Sequence, residues 1–549
     1  MFIRIAKQKR GDKTYRHLQI AESFRDPAKG MAPRTRIIAQ LGTIEGLGEE
    51  QIEKLIAGLQ RAIGQEAAPP ELLLARDFGH VYAVGGVWDA LGLSTVLDQC
   101  RIAGRSSAEV SSLIKLLVVN RICDPCSKLA LLEWLESVHC IGAVPSYHHL
   151  LRAMDRLIGI KEKVEPLLAK KLLPQTAELD LVFYDITSTY FEGERSLADE
   201  DFRRYGYSRD HRPDRRQVVV GMVMTREGIP LCHHVFPGNT VDKTTVTAVV
   251  KDLKERFNLT RIVFVGDRGM LSDANLSMIL GAEIGFIVAH PLRKNTHATE
   301  VIGKLKKCFT REGNEEQYQE ELREEVRFVV AYSPKIAAET RNNRTERLKK
   351  ADAWIKEAEH KLAHPSTKGR APTLQGTYDR IRDYLRDKGL LGLYDLEITG
   401  DKLAIKKNRK ALNWEETIDG VLMLETTNLE LPAAEVVKRY KELAEIERGW
   451  RTLKSSLLLR PVYHWTEPRI RAHIFICVLA LQMERWMRNR LKTVSVQKAL
   501  QSLQRIKAGE LSTNGKTVAM ATRPTTEQKE LLQKLGLKPI PNRLHNVVV

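Results

Sequence analysis

No apolar run in this sequence is long enough to cross a bilayer. The longest strongly apolar stretch, Ile474 to Met483, is about half of the ~20 residues a spanning helix needs, and basic residues flank it closely. The amino terminus, MFIRIAKQKRGDK, becomes charged before a signal-peptide apolar region can form, which argues against secretion and for the cytoplasm. Cysteine is sparse and odd in number: seven residues scattered over 549, the pattern of reduced thiols and not of a disulfide framework. One CxxC is present, Cys123 and Cys126, and the nearest further candidates, Cys140 and His148 or His149, lie across two helical stretches, so buried thiols account for it better than structural zinc. An obvious catalytic histidine is also missing. His233 and His234 follow Cys232 on a strand whose adjacent residues face opposite ways, which disfavours a metal there, and His473 starts a hydrophobic helix where a satisfied core histidine is the simpler reading.

Positive charge is what the chain has in excess. Eighty-seven Lys and Arg against 69 Asp and Glu leave +18 and a pI near 9.5. Such an excess needs a polyanionic partner or a tolerance of self-repulsion. Nucleic acid is the first candidate; an anionic membrane, the second, is weakened by the missing apolar run. With 43% hydrophobic and 28% charged residues the composition is that of a folded protein with several cores.

The length favours roughly three to five structural units. Residues 1–70 read as two short strands, YRHLQIAESFR and RTRIIAQLG, then a helix near 48–64 and a linker. Residues 71–177 carry apolar side chains at helical spacing, as in SSAEVSSLIKLLVVNRI, and read as an all-helical domain. Two roles stay open for it, recognition of a DNA end through phosphate contacts or a scaffold that touches no base. From Leu179 the period changes to that of buried strands, in the order strand, strand, strand, helix, strand, which is how a ribonuclease H-like core begins. We assign 178–292 to the first part of that α/β core, 293–417 to a charged inserted α+β subdomain, 418–492 to its second part, and 493–549 to a C-terminal region whose last ~30 residues read as a weakly ordered tail.

Two acidic residues directly follow apolar strand sequence, Asp185 after LVFY and Asp267 after IVFVG. There a hard divalent cation can reach a carboxylate; for either alone, capping the turn it begins is the simpler explanation, and the pair is more informative than its parts. A third carboxylate lies in YKELAEIERGWRTLKSSL, within the helical stretch Ala433 to Leu457. Steps of 7, 4 and 3 residues from Tyr440 to Glu447, Arg451 and Lys454 put all four on one helical face, which would otherwise be an ordinary solvated face. Three carboxylates holding two metal ions suit phosphodiester chemistry, because one ion activates the attacking water or hydroxyl and the other stabilises the departing oxygen. Hard oxygen ligands favour two Mg²⁺, with Mn²⁺ a substitute, and no separate general base is then required. Arg448 and Arg268, the latter directly after Asp267, are further candidates for phosphate contact. Trp450 lies off the Glu447 face, where core packing competes with stacking on an unpaired base.

In order along the chain, YDITSTYFEG, FPGN, VGDRGM, DGVLMLETT, YKELAEIERGWRTLK and RPVYHWTEPRIRAHIFICVLAL resemble the DDE transposases of bacterial insertion sequences, in the group with a Tyr-Arg-Glu-Lys signature. That pattern is Tyr, two residues, Arg, three residues, Glu, six residues, Lys. Tyr440, Glu447 and Lys454 meet it, whereas Leu443 occupies the Arg position, with Arg448 and Arg451 as nearby substitutes. The segment NRICDPCSKLALLEW and Asn239 of PGN resemble further elements of the group.

The resemblance implies a ribonuclease H-like core with an insertion in the 180 residues between Asp267 and Glu447, and a dimer on paired DNA ends. It also implies a substrate of double-stranded DNA, both terminal inverted repeats and target. On this reading Asp185, Asp267 and Glu447 are catalytic and bind metal, while Tyr440, Arg448, Arg451, Lys454 and Arg268 hold DNA. The alternatives are an inactive DNA-binding descendant, a site-specific nuclease without a joining step, and a regulator using its basic surface alone.

Overall fold

The computed structural model describes residues 1–10, 13–25, 30–31, 33–44, 49–64, 71–100, 107–139, 144–172, 181–192, 201–257, 263–266, 273–281, 284–293, 296–309, 315–323, 326–365, 371–513 and 516–544. Asp267, Arg268 and Cys140 lie outside them. The chain forms two units, one of residues 1–76, 507–523 and 541–547, the other of 77–506 and 524–540 with the last two residues.

The first unit opens with an antiparallel meander of β1 (Phe2–Arg10), β2 (Lys13–Arg25) and β3 (Pro33–Thr43), followed by α1 (Glu49–Ala62) and β4 (Glu71–Asp77). Two strands were expected here and three are found. The first, FIRIAKQKR, is so basic that its alternation is weak, and its pairing with β2, Phe2 opposite Ala21 through Arg10 opposite Lys13, supplies what the pattern does not.

The second unit begins with helices only: α2 (Gly79–Ala90), α3 (Leu93–Gln99), α4 (Ser107–Cys123), α5 (Ala130–Ser137) and α6 (Tyr147–Leu172). Their apolar faces, such as Leu150, Met154, Leu157 and Val164 of α6, are buried. They are not closed on themselves, since the helix Glu467–Leu491, buried at every residue from Ala472 to Met483, packs against α4 and α6.

Three strands follow, β5 (Leu181–Tyr190), β6 (Gln217–Met224) and β7 (Pro230–Pro237), then α7 (Asp242–Glu255), β8 (Val263–Gly266), α8 (Asp273–Gly281) and β9 (Gly285–Ala289). They lie in the order β7-β6-β5-β8-β9. β5, β8 and β9 run parallel, while β5–β6 and β6–β7 are antiparallel. Parallel neighbours need a crossover, and α7 and α8 supply it, burying Val246, Val249, Leu253 and Ile279 against Val182, Tyr184, Ile186 and Phe264.

After α9 (Thr296–Leu305), β10 (Gln317–Arg323) and β11 (Val326–Tyr332) extend the same sheet instead of belonging to a separate insertion. The self-contained part is smaller. It comprises α10 (Pro334–Ala363), α11 (Leu374–Asp387) and the hairpin β12 (Tyr394–Thr399) and β13 (Lys402–Lys407) around Ala351, Ile355, Ile381 and Leu385. Then α12 (Arg409–Ile418) leads to β14 (Val421–Thr426), which lies between β11 and β9 and completes eight strands. The buried guanidinium of Arg344 grips Asp419 through two bonds of 2.6 and 2.7 Å, tying α10 to the start of β14.

The stretch expected as one helix is two, α13 (Ala433–Lys441) and α14 (Ala444–Ser455), joined by a turn at Glu442 and Leu443 whose amides bond three residues back, Glu442 N to Arg439 O and Leu443 N to Tyr440 O. α15 (Glu467–Leu491) and α16 (Val496–Gln504) follow. Residues 516–544, where a weakly ordered tail was expected, carry regular structure: β15 (Lys507–Thr513) and β16 (Lys516–Ala521) join β4 in the first unit. α17 (Thr526–Lys534) starts with a Thr525–Gln528 capping box and buries Leu531 and Leu532. Polar composition hid an amphipathic face. Among the described residues no helix is long and apolar enough to cross a membrane.

Candidate active site

Strand residues alternate between the two faces of a sheet. In β5, Val182, Tyr184 and Ile186 enter the core under α7 and α8, so Asp185 projects from the opposite face. Asp185 is not at a strand end, as the sequence suggested. The β-branched ITST continues β5 to Tyr190, and pairing with β6 holds throughout, whereas pairing with β8 is recorded only as far as Phe183 opposite Val265. A mid-strand position removes the turn-capping explanation for Asp185. β8 ends at Gly266, immediately before Asp267 in the chain.

On that opposite face α14 packs against β5. Gly449 permits the approach: a Cβ there would lie 2.5 Å from Met224 Cε of β6. Trp450, only 6% exposed, donates its indole Nε1–H to Asp185 Oδ2 at 3.1 Å. Sequence reading weighed this ring between core and base stacking; it is buried and holds a carboxylate. Glu447 is three residues earlier on α14, one turn from Trp450, and is exposed; its amide bonds Leu443 O, and its carboxylate has no hydrogen bond or ion pair among the described residues. It lies in the helix's first turn, where the backbone amides favour a negative charge. Glu445 fixes the same turn by pairing with Arg485 and Arg488 of α15 at 3.7 and 3.6 Å.

The other expected residues divide. Arg451 is exposed on α14. Arg448 is exposed but paired with Glu445. Tyr440 sits on α13, across the break, so it does not continue the Glu447 face along one helix. The break buries Leu443, at 9% exposure, which suits Leu better than the Arg of the Tyr-Arg-Glu-Lys pattern.

Lys454 Nζ donates to Asp210 Oδ1 at 2.7 Å, and the Arg460 guanidinium meets the same oxygen. Burial pushes the Lys454 pKa down and the Asp210 partnership pushes it back up. Asp210 and Arg460 were not foreseen; the only signal was a dense run of Arg and Tyr, FRRYGYSRDHRPDRR. That loop is held beside β5 by Ser188 Oγ, which accepts the Arg209 amide at 3.1 Å, and by Gln217 Nε2, which donates to Tyr207 O and Gly238 O, both at 2.9 Å. Its side chains interleave cations with rings: Arg209 lies over Tyr207, which is 82% exposed, and Arg212 and Arg460 over Tyr190. Asn239 is exposed in the turn that follows β7.

This geometry has counterparts among known proteins. The Transposase DDE domain family matches residues 177–483, more than half of the chain. The chain belongs to this family. The IS1634 family transposase N-terminal domain matches residues 3–70, the meander and α1. A comparison with curated proteins returned no match. In this DDE transposase, β5, β8 and α14, which carry or directly precede the three expected acids, fall within the matched domain.

Elsewhere the histidines and cysteines that the sequence singles out as possible metal ligands divide as follows among the described residues. Cys232 and His234 are two residues apart and share a face of β7 with Asp252 of α7 close by, a grouping that the alternation argument overlooked. Asp252, however, is taken by Arg256 Nε at 2.6 Å, and burial holds the Cys232 thiol protonated, so the triad offers a metal little. His473 is buried, as expected: its Nε2–H donates to Leu459 O at 3.1 Å, which leaves Nδ1 to accept from Lys128 Nζ at 2.7 Å. Burial raises the pKa of the Cys123 and Cys126 thiols, and neither is in a disulfide.

Proposed function

We propose that the chain is an insertion-sequence transposase that cuts DNA at its element's ends and joins the freed 3'-hydroxyls to target DNA, with Asp185, Asp267 and Glu447 as its catalytic residues. The carrying observation is the Trp450–Asp185 hydrogen bond, which seats the Glu447 helix against the strand bearing Asp185. Asp267 stands two residues after Val265, as Asp185 stands two after Phe183, and Phe183 and Val265 are partners on parallel strands. The strand order β7-β6-β5-β8-β9 supports a ribonuclease H-like core.

The donor set fits divalent metal, for its side chains offer hard oxygens. Asp185 has one oxygen engaged by a neutral N–H donor, and Glu447 is exposed. Two Mg²⁺ ions, or Mn²⁺ in their place, would supply the activation of the attacking oxygen and the stabilisation of the leaving one. The chain's own work is positional. Trp450 orients Asp185, the first turn of α14 carries Glu447, and Arg451 with the Arg209–Arg216 loop presents cations to the phosphates of the strand being cut. Lys454 and Arg460 share one carboxylate, Asp210, so the group keeps a net positive charge for the same strand.

Double-stranded DNA is accordingly the substrate, a homodimer on paired ends the working assembly, and the cytoplasm the compartment. Residues 71–177 belong to DNA-end recognition. Buried Leu443 in place of the signature's Arg favours a second reading, a descendant that binds DNA without cutting it. A strand-transfer assay on DNA carrying the element's terminal repeats decides among them. Joined products from wild type and none from Asp185→Asn support the transposase, cleavage without joining supports a nuclease, and binding alone supports the descendant.

A further inference from the structure

A recess of about 570 Å³ opens between the Asp124–Leu129 connection of α4 to α5 and the segment Leu458–His473 that leads into α15. It falls in the ~300–1,000 Å³ range of sites that hold small ligands. Its polar lining is basic: Arg121, Lys128 and Arg460 contribute, together with the neutral imidazoles of His464 and His473, and no carboxylate among the described residues lines it. Lys128 is 5% exposed and Arg121 4%.

Lys128 has His473 as its hydrogen-bond partner, a neutral acceptor. Arg121 donates to the carbonyls of Cys126 and Leu458 at 3.0 and 3.4 Å, and its Nε has no partner. Burial pushes Lys128 well below its ordinary pKa, with Arg121 adding to the effect, and pushes His464 down to about 3. Two buried basic groups whose charged forms have no counter-charge among the described residues are costly to fold. Tyr147 and Tyr463, both exposed, flank the same recess, and Arg460 connects it to Asp210 and Lys454 beside α14.

We propose that this recess binds a phosphate of a single DNA strand leaving the Asp185 site, with Lys128 and Arg121 as its counter-charges and Tyr463 and Tyr147 as stacking surfaces for the adjoining base. A duplex is too wide to enter, whereas a strand freed by cleavage brings both a phosphate and an unpaired ring. The proposal rests on the strand-cutting reading above, and it assigns a ligand to the segment NRICDPCSK that the three carboxylates leave unexplained.

The test is binding of a fluorescent 12-nucleotide oligothymidylate to the full chain without divalent metal, over a series of salt concentrations. Lys128→Met is expected to weaken binding about tenfold and to make the log–log salt slope shallower by about 0.7, the release expected for one phosphate of a single strand. Tyr463→Ala, at an exposed position that folding does not need, is expected to weaken it by about 5- to 100-fold. The melting temperature of Lys128→Met is expected to hold or rise, since a buried like charge is removed. Unchanged affinity and slope in a folded Lys128→Met overturn the proposal, as does a fall in its melting temperature with DNA binding intact. Calorimetric titration with inorganic phosphate separates the sources: loss of phosphate binding with oligothymidylate binding unchanged marks a free-anion site and also overturns it. The binding assay contains no divalent metal and so no cleavage, and a chain that fails to cut its repeats yet shows the Lys128 and Tyr463 effects separates failure of the cleavage reading from failure of this one.

Discussion

Replacing Trp450 with Phe removes one hydrogen-bond donor while keeping an aromatic ring in the core. The lost contact is the 3.1 Å bond from Nε1 to Asp185 Oδ2, made by a side chain 6% exposed. A hydrogen bond to a charged acceptor contributes about 1.5–3 kcal/mol, and removing a partner that orients a metal ligand typically costs 10–100-fold in metal affinity or activity. The two estimates agree, since each 1.4 kcal/mol is tenfold. The smaller ring should also cost about 1–2 kcal/mol of stability. Calorimetric titration of the apo protein with Mg²⁺ should therefore show Kd raised by at least tenfold for Trp450→Phe, with a folded circular dichroism spectrum. A variant that loses stability yet binds Mg²⁺ with wild-type affinity would refute the reasoning and leave Trp450 as a packing residue.

Other substitutions probe the frame around this contact. Asp210→Asn removes the shared partner of Lys454 and Arg460, both partly buried. Urea unfolding should show about 1–3 kcal/mol less stability, below the cost of a fully buried pair because both cations reach solvent; an unchanged midpoint would contradict it. Gly238→Ala would place a Cβ 2.1 Å from Gln217 O and 2.4 Å from Arg204 O, backbone atoms that cannot step aside. About 2–3 kcal/mol should be lost in the same assay, and a neutral result would mean that the loop is not seated as described. His233, fully buried, has its pKa lowered to about 4 by burial first and Lys161 next, against the pull of Glu165. The unfolded chain then binds more protons than the fold between about pH 6.5 and 4, so stability falls as pH drops through that window. His233→Asn should flatten the decline in melting temperature there, and parallel pH curves for the two proteins would refute the assignment.

Much of the core was legible because buried strands announce themselves: VVVGMVM, LVFY and VFV are apolar runs too short for helices and rich in β-branched residues. The succession of β5 to β9 along the chain followed from them, whereas their order in the sheet did not. The limits were of two kinds. Periodicity reads one face, so it placed Glu447 and Arg451 on α14 but missed the break at Glu442–Leu443 that moves Tyr440 to α13. Nothing local forbids helix there, and the turn is set by Leu443 entering the core. Contacts between distant segments were not legible either. Trp450 and Asp185 are 265 residues apart, and Lys454 and Asp210 are 244 apart. Composition alone also misled at the ends, where the basic β1 and the polar α17 depend on pairing and on a few buried leucines.

The proposed function rests on Asp185, Asp267 and Glu447 acting together on a phosphodiester. The most direct measurement is Mg²⁺-dependent cleavage of a labelled duplex carrying the element's own terminal repeats, by wild type and by Glu447→Gln, which keeps the side chain's size and removes its charge. The account predicts cleavage by wild type and none by a variant that still binds the duplex. Equal cleavage by the two proteins would contradict it.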